Sequence, residues 1–263
     1  MSKPTDASRP KRMDVFAEHP PEVKIRTKKM MMYLVMFAIV MLFAGLTSVV
    51  LVSGESMYWV HVVPPKVLWA SNTIVLLSSI TMIMAVRKIK AGNKPAAIGF
   101  ITSTFLLGIA FCITQSAGWK NLSSKGLGVT ISMNEQGLKK ARWNSLDQIT
   151  GEYGKDYTIR YHGRTLVHDG NHYFDPGDEL KATPLTSKFR EKFNITGALI
   201  CILIFLHIAH LILGLIYLCI NMVRTWTGII HKDNWISLHA GGMYWHFMGI
   251  LWLYLFFFLF FLY

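Results

Sequence analysis

The sequence predicts an all-α integral membrane protein: a five-helix transmembrane bundle with a small β-rich extramembrane insertion between helices three and four. Three observations predict it. Five apolar runs each reach the roughly 20 residues a helix needs to cross the hydrocarbon core. Across its 263 residues, 52% are hydrophobic and only 16% charged, with a mean hydropathy of +0.35; soluble domains carry about 25% charge. Between the third and fourth runs lies a long polar segment with alternating side chains.

The runs cover residues 30–52, 67–86, 96–114, 195–223 and 238–263. Backbone groups in lipid must be satisfied within the segment, so each run is expected to be helical. The first follows a polar stretch and is too long for a signal-peptide core, which makes it an expected permanent anchor. This divides the chain into a basic tail (1–29), helices one to three (30–115), an external β-rich insertion (116–192) and helices four and five (193–263). The start of the tail is expected to be disordered.

Charge sets the orientation. The second and third runs are joined through Arg87, Lys88, Lys90 and Lys94, whereas residues 53–63 contain no Lys or Arg. The positive-inside rule places the N-terminus and the 87–94 connection in the cytoplasm, with the insertion and the C-terminus outside. The net charge of +12 therefore reads as topogenic and lipid-facing, not as a nucleic-acid surface.

The insertion is too long for a plain connector. Tyr157, Ile159 and Tyr161 alternate with Thr158 and Arg160. His162-Gly163 then leads to Thr165, Leu166 and Val167, followed by Asp169-Gly170. Alternation with glycine-containing turns predicts a small hairpin module.

Candidate chemistry is sparse. None of the five apolar cores contains Asp or Glu, which argues against a stand-alone ion-coupled transporter. Cys112, Cys201 and Cys219 lie singly in apolar runs and read as small buried hydrophobes. His207 and His210 are three apart on one helical face, with His239 and His246 on the last helix. Counted from the helix ends at 1.5 Å per residue, His210 lies about 20 Å and His246 about 12 Å above the cytoplasmic side. That mismatch favours interhelical packing over haem or copper ligation. External His162, His168 and His172 fit no familiar metal-ligand spacing and have no cysteine nearby. Asn72, Ser78, Ser79, Thr81, Thr104 and Gln115, with Gly108 and Gly214, read as groups that let helices approach and hydrogen-bond. The last helix is unusually aromatic.

In chain order these segments resemble subunit III of the haem-copper oxidases, in its short bacterial five-helix form. Tyr244-Trp245-His246-Phe247-Met248-Gly249-Ile250-Leu251-Trp252 is similar to that family's aromatic last-helix signature. His207, His210 and Gly214 keep its H-x-x-H-x-x-x-G spacing. Asn72-Thr73, Leu76-Leu77-Ser78-Ser79 and Thr81 resemble its second-helix pattern, and Gly108, Phe111, Gln115 and Trp119 the end of the third. The resemblance implies a non-redox subunit of a cytochrome c oxidase in the bacterial inner membrane. Such a subunit packs on subunits I and II, which hold haem and copper, and binds phospholipid. No catalytic residue, cofactor or metal is then expected in this chain. Asn72, Ser79, His207, His210, Trp245 and His246 become positions for packing or lipid. Four departures stand out. Ile39, His239 and Gly249 occupy acidic positions of the family, and a further glutamate is replaced at Ala117 or Gly118. These bear on proton supply, not on scaffolding. The insertion is also foreign to the family, and its external position suggests contact with cytochrome c, an electron-donating complex or an accessory subunit in a supercomplex. The competing reading is a stand-alone transporter or a quinol-linked membrane cytochrome subunit.

Overall fold

The structure is a computed structural model that describes residues 20–56, 58–124, 129–133, 139–143, 149, 151–178, 180–186 and 195–262. Most of the basic tail, including its expected disordered start, lies outside the described residues. Five helices among the described residues are long and apolar enough to cross a membrane. They are α1 (Pro21–Ser56), α2 (Lys66–Lys90), α3 (Lys94–Ser124), α4 (Ile195–Trp226) and α5 (Ile236–Phe257), the last continued by a π-helical turn at Phe258–Leu262.

The helices outrun the apolar segments that predict them. Pro21 opens α1 at a first-turn position, where a missing N–H costs no helical bond. The 36 residues of α1 amount to about 54 Å, against about 30 Å of hydrocarbon. The third helix runs on to Ser124 because its outer end still packs: Gly118 and Leu122 are buried, and Leu68 of α2 lies against Gly118.

A tight turn joins α2 to α3. Gly92 adopts φ +78°, a left-handed conformation that suits glycine, and Asn93 Oδ1 accepts the Ala96 N–H at 3.2 Å. This local chemistry makes the two helices an antiparallel hairpin, the most extensive helix pair in the molecule.

The centre of the bundle is α5. Its span is 61% buried within the chain, whereas the other four lie between 22% and 33%. It packs on α1, α2 and α4; α3 packs on α2 and α4. Gly241 of α5 lies against Asn221 and Tyr217 of α4, and Gly242 and Gly249 against α2. Small residues on two faces thus let both neighbours approach. The remaining helix surfaces expose large apolar side chains such as Phe37, Leu76, Leu106, Phe205 and Ile250, as a lipid-facing surface requires.

The insertion contains the hairpin that the alternation predicts, and the described residues add strands that it does not. Strand β1 (Trp59–Val62) comes from the connection between α1 and α2. The others are β2 (Val129–Met133), β3 (Lys139–Trp143), β4 (Tyr157–Tyr161), β5 (Arg164–Thr165), β6 (Val167–His168) and β7 (Tyr173–Phe174). They form an antiparallel sheet β1-β4-β5 and two hairpins, β2-β3 and β6-β7. The predicted turn is present: His162 and Gly163 take φ of 49° and 73°, the pair of positive values that two-residue hairpins favour. Strand β1 pairs Trp59–Val62 with Arg160–Tyr157, so the module is not confined to the insertion. Four residues with two valines carry too little pattern to signal a strand beside a long apolar run. The pairing exists because its partner supplies the core: Tyr58, Tyr157, Ile159, Leu166 and Tyr173 cluster, with Val60 packed against them. The Tyr153 hydroxyl donates to the Leu166 carbonyl at 2.6 Å, and burial raises that phenol's pKa.

The two ends of the bundle differ. Trp69 near the start of α2 packs on Phe256 and Phe261, which puts the module and the end of α5 at one end. The α2–α3 turn and the α4–α5 connection meet at the other, where Lys232 lies against Gly92.

Candidate functional site

The chemistry-bearing residues inside the bundle assemble around α5 as a series of interhelical hydrogen bonds. Nearest the module, the Trp252 indole N–H donates to Asn72 Oδ1 at 2.9 Å. His207 of α4 is 1% exposed, with its ring 5.4 Å from that of Trp252. Phe111 of α3 packs edge-on against the same indole, at 5.7 Å. Four helices therefore converge on Trp252. Beside them the Gln115 amide donates to Ser71 Oγ at 2.9 Å, linking α3 to α2.

At mid-depth the Trp245 indole N–H donates to Ser78 Oγ at 3.1 Å, and Ser78 in turn donates to the Val75 carbonyl. Close approach of α3 here depends on Gly108, where an added Cβ would sit 2.7 Å from Leu215 and 2.8 Å from the Trp245 ring. The Thr81 and Thr104 hydroxyls bond at 2.9 Å between α2 and α3. On the other side of α5, the Tyr244 hydroxyl donates to the His210 carbonyl at 3.0 Å, passing over Gly214. Toward the opposite end, Ser237 Oγ donates to Asn221 Oδ1 at 3.0 Å. The Tyr254 hydroxyl fastens α1 by donating to Thr47 Oγ1 at 3.2 Å.

Each residue singled out in the sequence has a definite place. Asn72 and Trp245 are both buried and bonded across helices, Asn72 as acceptor from Trp252 and Trp245 as donor to Ser78. Ser79 is half-buried and faces Gly249, while its neighbour Ser78 takes the Trp245 bond. His207 and His210 share one helix but turn to different neighbours: His207 to Trp252, His210 edge-on to Phe43 of α1. His210 Nδ1 donates to the Leu206 carbonyl at 2.7 Å. His246 is half-buried on α5. No group of three His, Cys, Asp or Glu residues able to hold a metal ion occurs among the described residues.

Sequence reasoning missed Ser71, Asn221, Ser237 and Thr47. Each is a small polar residue within an apolar run, and only the partner from another helix reveals it. Neither ring nitrogen of His207 meets a hydrogen-bond partner among the described residues. An apolar groove of about 290 Å³ runs between α1 and α5, lined by Val40, Phe43, Ala44, Phe247, Ile250 and Tyr254 among others. Among the described residues, nothing in this arrangement joins a nucleophile, a general base and an anion-stabilising group. What it does is fix five helices in register.

No family model matches the chain. Cytochrome c oxidase subunit 3 of Glycine max and of Arabidopsis thaliana are each 36% identical to it over 50 residues. That match spans 19% of this chain and 19% of the length of either relative. It supports a distant relation to that subunit family, and a multi-pass helical bundle is compatible with it.

Proposed function

We propose that the chain is a non-catalytic structural subunit of a respiratory haem-copper terminal oxidase, equivalent in role to subunit III. One observation carries this reading: polar groups of the bundle are spent on helix-to-helix bonds gathered around α5, in which the motif residues Asn72, Trp245 and Trp252 take part while the His207 ring packs on Trp252. A subunit built this way presents a fixed lipid-facing surface to neighbouring chains and leaves redox chemistry to them. The local similarity to plant cytochrome c oxidase subunit 3 supports the same assignment.

In this reading the chain lies in a bacterial inner membrane with its N-terminus cytoplasmic. It packs on subunits I and II, which carry haem and copper, and holds phospholipid on its apolar surface. The β-rich module faces the side where cytochrome c or an electron-donating complex docks, and it contributes to accessory or supercomplex contacts.

Purification of the tagged chain in mild detergent tests the proposal. Haem seen in a reduced-minus-oxidised spectrum should co-purify with larger partners and be absent from the isolated chain. Haem held by the isolated chain overturns the proposal, as does isolation with neither haem nor partners. For the module, deletion of residues 122–186 should remove a partner from the native complex; an unchanged set of partners overturns that role.

A further inference from the structure

Two levels of the bundle repeat one pattern two helical turns apart. At the lower level Gly108 of α3 lies against Leu215 of α4 and Trp245 of α5, and the Trp245 indole bonds Ser78 of α2. Seven residues along a helix are close to two turns, about 10.5 Å of rise, and return to nearly the same face. That step toward the module leads to Gln115 on α3, Trp252 on α5 and Ser71 on α2. Because α4 runs opposite to α3, it leads there to Ile208, beside His207. The Gln115–Ser71 and Trp252–Asn72 bonds, with the ring contact between Trp252 and His207, fit this register. Gln115 and His207 therefore stand at one level, on helices that pack together.

This level is polar but not closed. His207 is 1% and Gln115 4% exposed, yet both His207 ring nitrogens and Gln115 Oε1 meet no hydrogen-bond partner among the described residues. Polar groups beside them are committed elsewhere. The Trp252 N–H goes to Asn72, and the Ser71 hydroxyl accepts from Gln115 and donates to the Leu68 carbonyl. A direct bond between Gln115 and His207 would not suffice. Gln115 Oε1 only accepts, so it could serve the N–H of a neutral imidazole, and the bare nitrogen would still need a donor. Leaving such groups unpaired in a bundle surrounded by lipid is costly. Water meets each need, because one molecule both donates and accepts.

We infer that His207 and Gln115 hold ordered water inside the bundle, with one molecule bridging a His207 ring nitrogen to Gln115 Oε1 and a second serving the other nitrogen. The bridging molecule donates to Gln115 Oε1. Toward His207 it accepts from the N–H or donates to the bare nitrogen, according to the tautomer. A ring that only packed on Trp252 could be phenylalanine; hydration is what an imidazole adds. The inference rests on the helix packing alone and holds whether or not the chain belongs to an oxidase.

Water-edited solid-state NMR of the full chain in lipid bilayers tests it, with isotopically labelled histidine and tryptophan. His207→Phe identifies the His207 signals by their loss. Magnetisation from water should reach the His207 ring nitrogens at a rate approaching that of exposed His231. It should reach the Trp245 indole N–H, buried and bonded to Ser78, much more slowly. Gln115→Leu should cut the transfer to His207 about two-fold, since it removes one of the roughly three bonds that hold a buried water. Transfer to His207 no faster than to Trp245 overturns the inference, as does transfer unchanged by Gln115→Leu. Thermal stability gives an independent reading. His207→Phe keeps a ring against Trp252, so a dry site would gain from losing its unpaired nitrogens, whereas a hydrated one should show no rise in midpoint. A raised midpoint therefore also overturns the inference.

Discussion

The Trp252 indole and the Asn72 amide, 180 residues apart in the chain, meet at 2.9 Å inside the bundle. The bond ties the outer half of α5 to α2, at the point where His207 and Phe111 also close on the indole. Trp252→Phe keeps most of the aromatic bulk and removes the donor. The expected loss is modest, because helices unfolded in a membrane find other partners for polar groups. A double-mutant cycle with Asn72→Leu should give a coupling of about 0.6–1.7 kcal/mol. Reversible denaturation in mixed micelles measures it, and strictly additive single losses would contradict the bond's role.

Gly108 and Gly45 should respond in opposite ways to alanine. A Cβ at Gly108 meets Leu215 at 2.7 Å and Trp245 at 2.8 Å, so Gly108→Ala is expected to destabilise by about 1–3 kcal/mol. At Gly45 nothing lies within 4 Å, so alanine there should be neutral or should stabilise α1 by up to about 1 kcal/mol. Thermal-shift midpoints of the two variants in one detergent decide the matter.

In the module, Asp178 Oδ2 accepts both the Thr183 N–H at 2.9 Å and the Thr183 hydroxyl at 2.8 Å. The Thr183 backbone and hydroxyl bonds, with a bond from Ala182, hold this carboxyl's pKa below its ordinary value. The folded pKa is depressed, so the contribution is complete above the unfolded value of about 3.9 and disappears as pH falls through the folded one. The Thr183 amide chemical shift should titrate with a midpoint below that of an ordinary aspartate. Asp178→Asn should abolish the titration.

Cysteine cross-linking tests the pairing of β1 with β4. Val60 lies opposite Ile159, and directly paired antiparallel residues have Cα atoms about 4.5–5.5 Å apart, within disulfide reach. In a background without the native cysteines, Val60→Cys with Ile159→Cys should oxidise readily. Val60→Cys with Arg160→Cys, whose side chains point to opposite faces, should not.

The helices were legible because each satisfies a length and composition rule within itself. Alternation in 157–161 and the His162-Gly163 turn were legible for the same local reason. What sequence could not show was selection among equals. Ser78 and Ser79 are adjacent, and only the orientation of Trp245 decides that Ser78 accepts its proton. Likewise Ser71, Asn221 and Thr47 look like ordinary small residues until Gln115, Ser237 and Tyr254 arrive from other helices. Strand β1 was hidden for a related reason: its pattern is four residues long, and its reason for being a strand lies a hundred residues away.

That strand also constrains assembly. Residues 59–62 and 157–161 can hydrogen-bond only if both stand on the same side of the bilayer, with α2 and α3 inserted between them as a complete pair of crossings. A chain with one of those helices left uninserted would have its two half-sheets separated by the membrane and unable to meet. The small extramembrane sheet can therefore close only once the α2–α3 hairpin has entered the membrane in full.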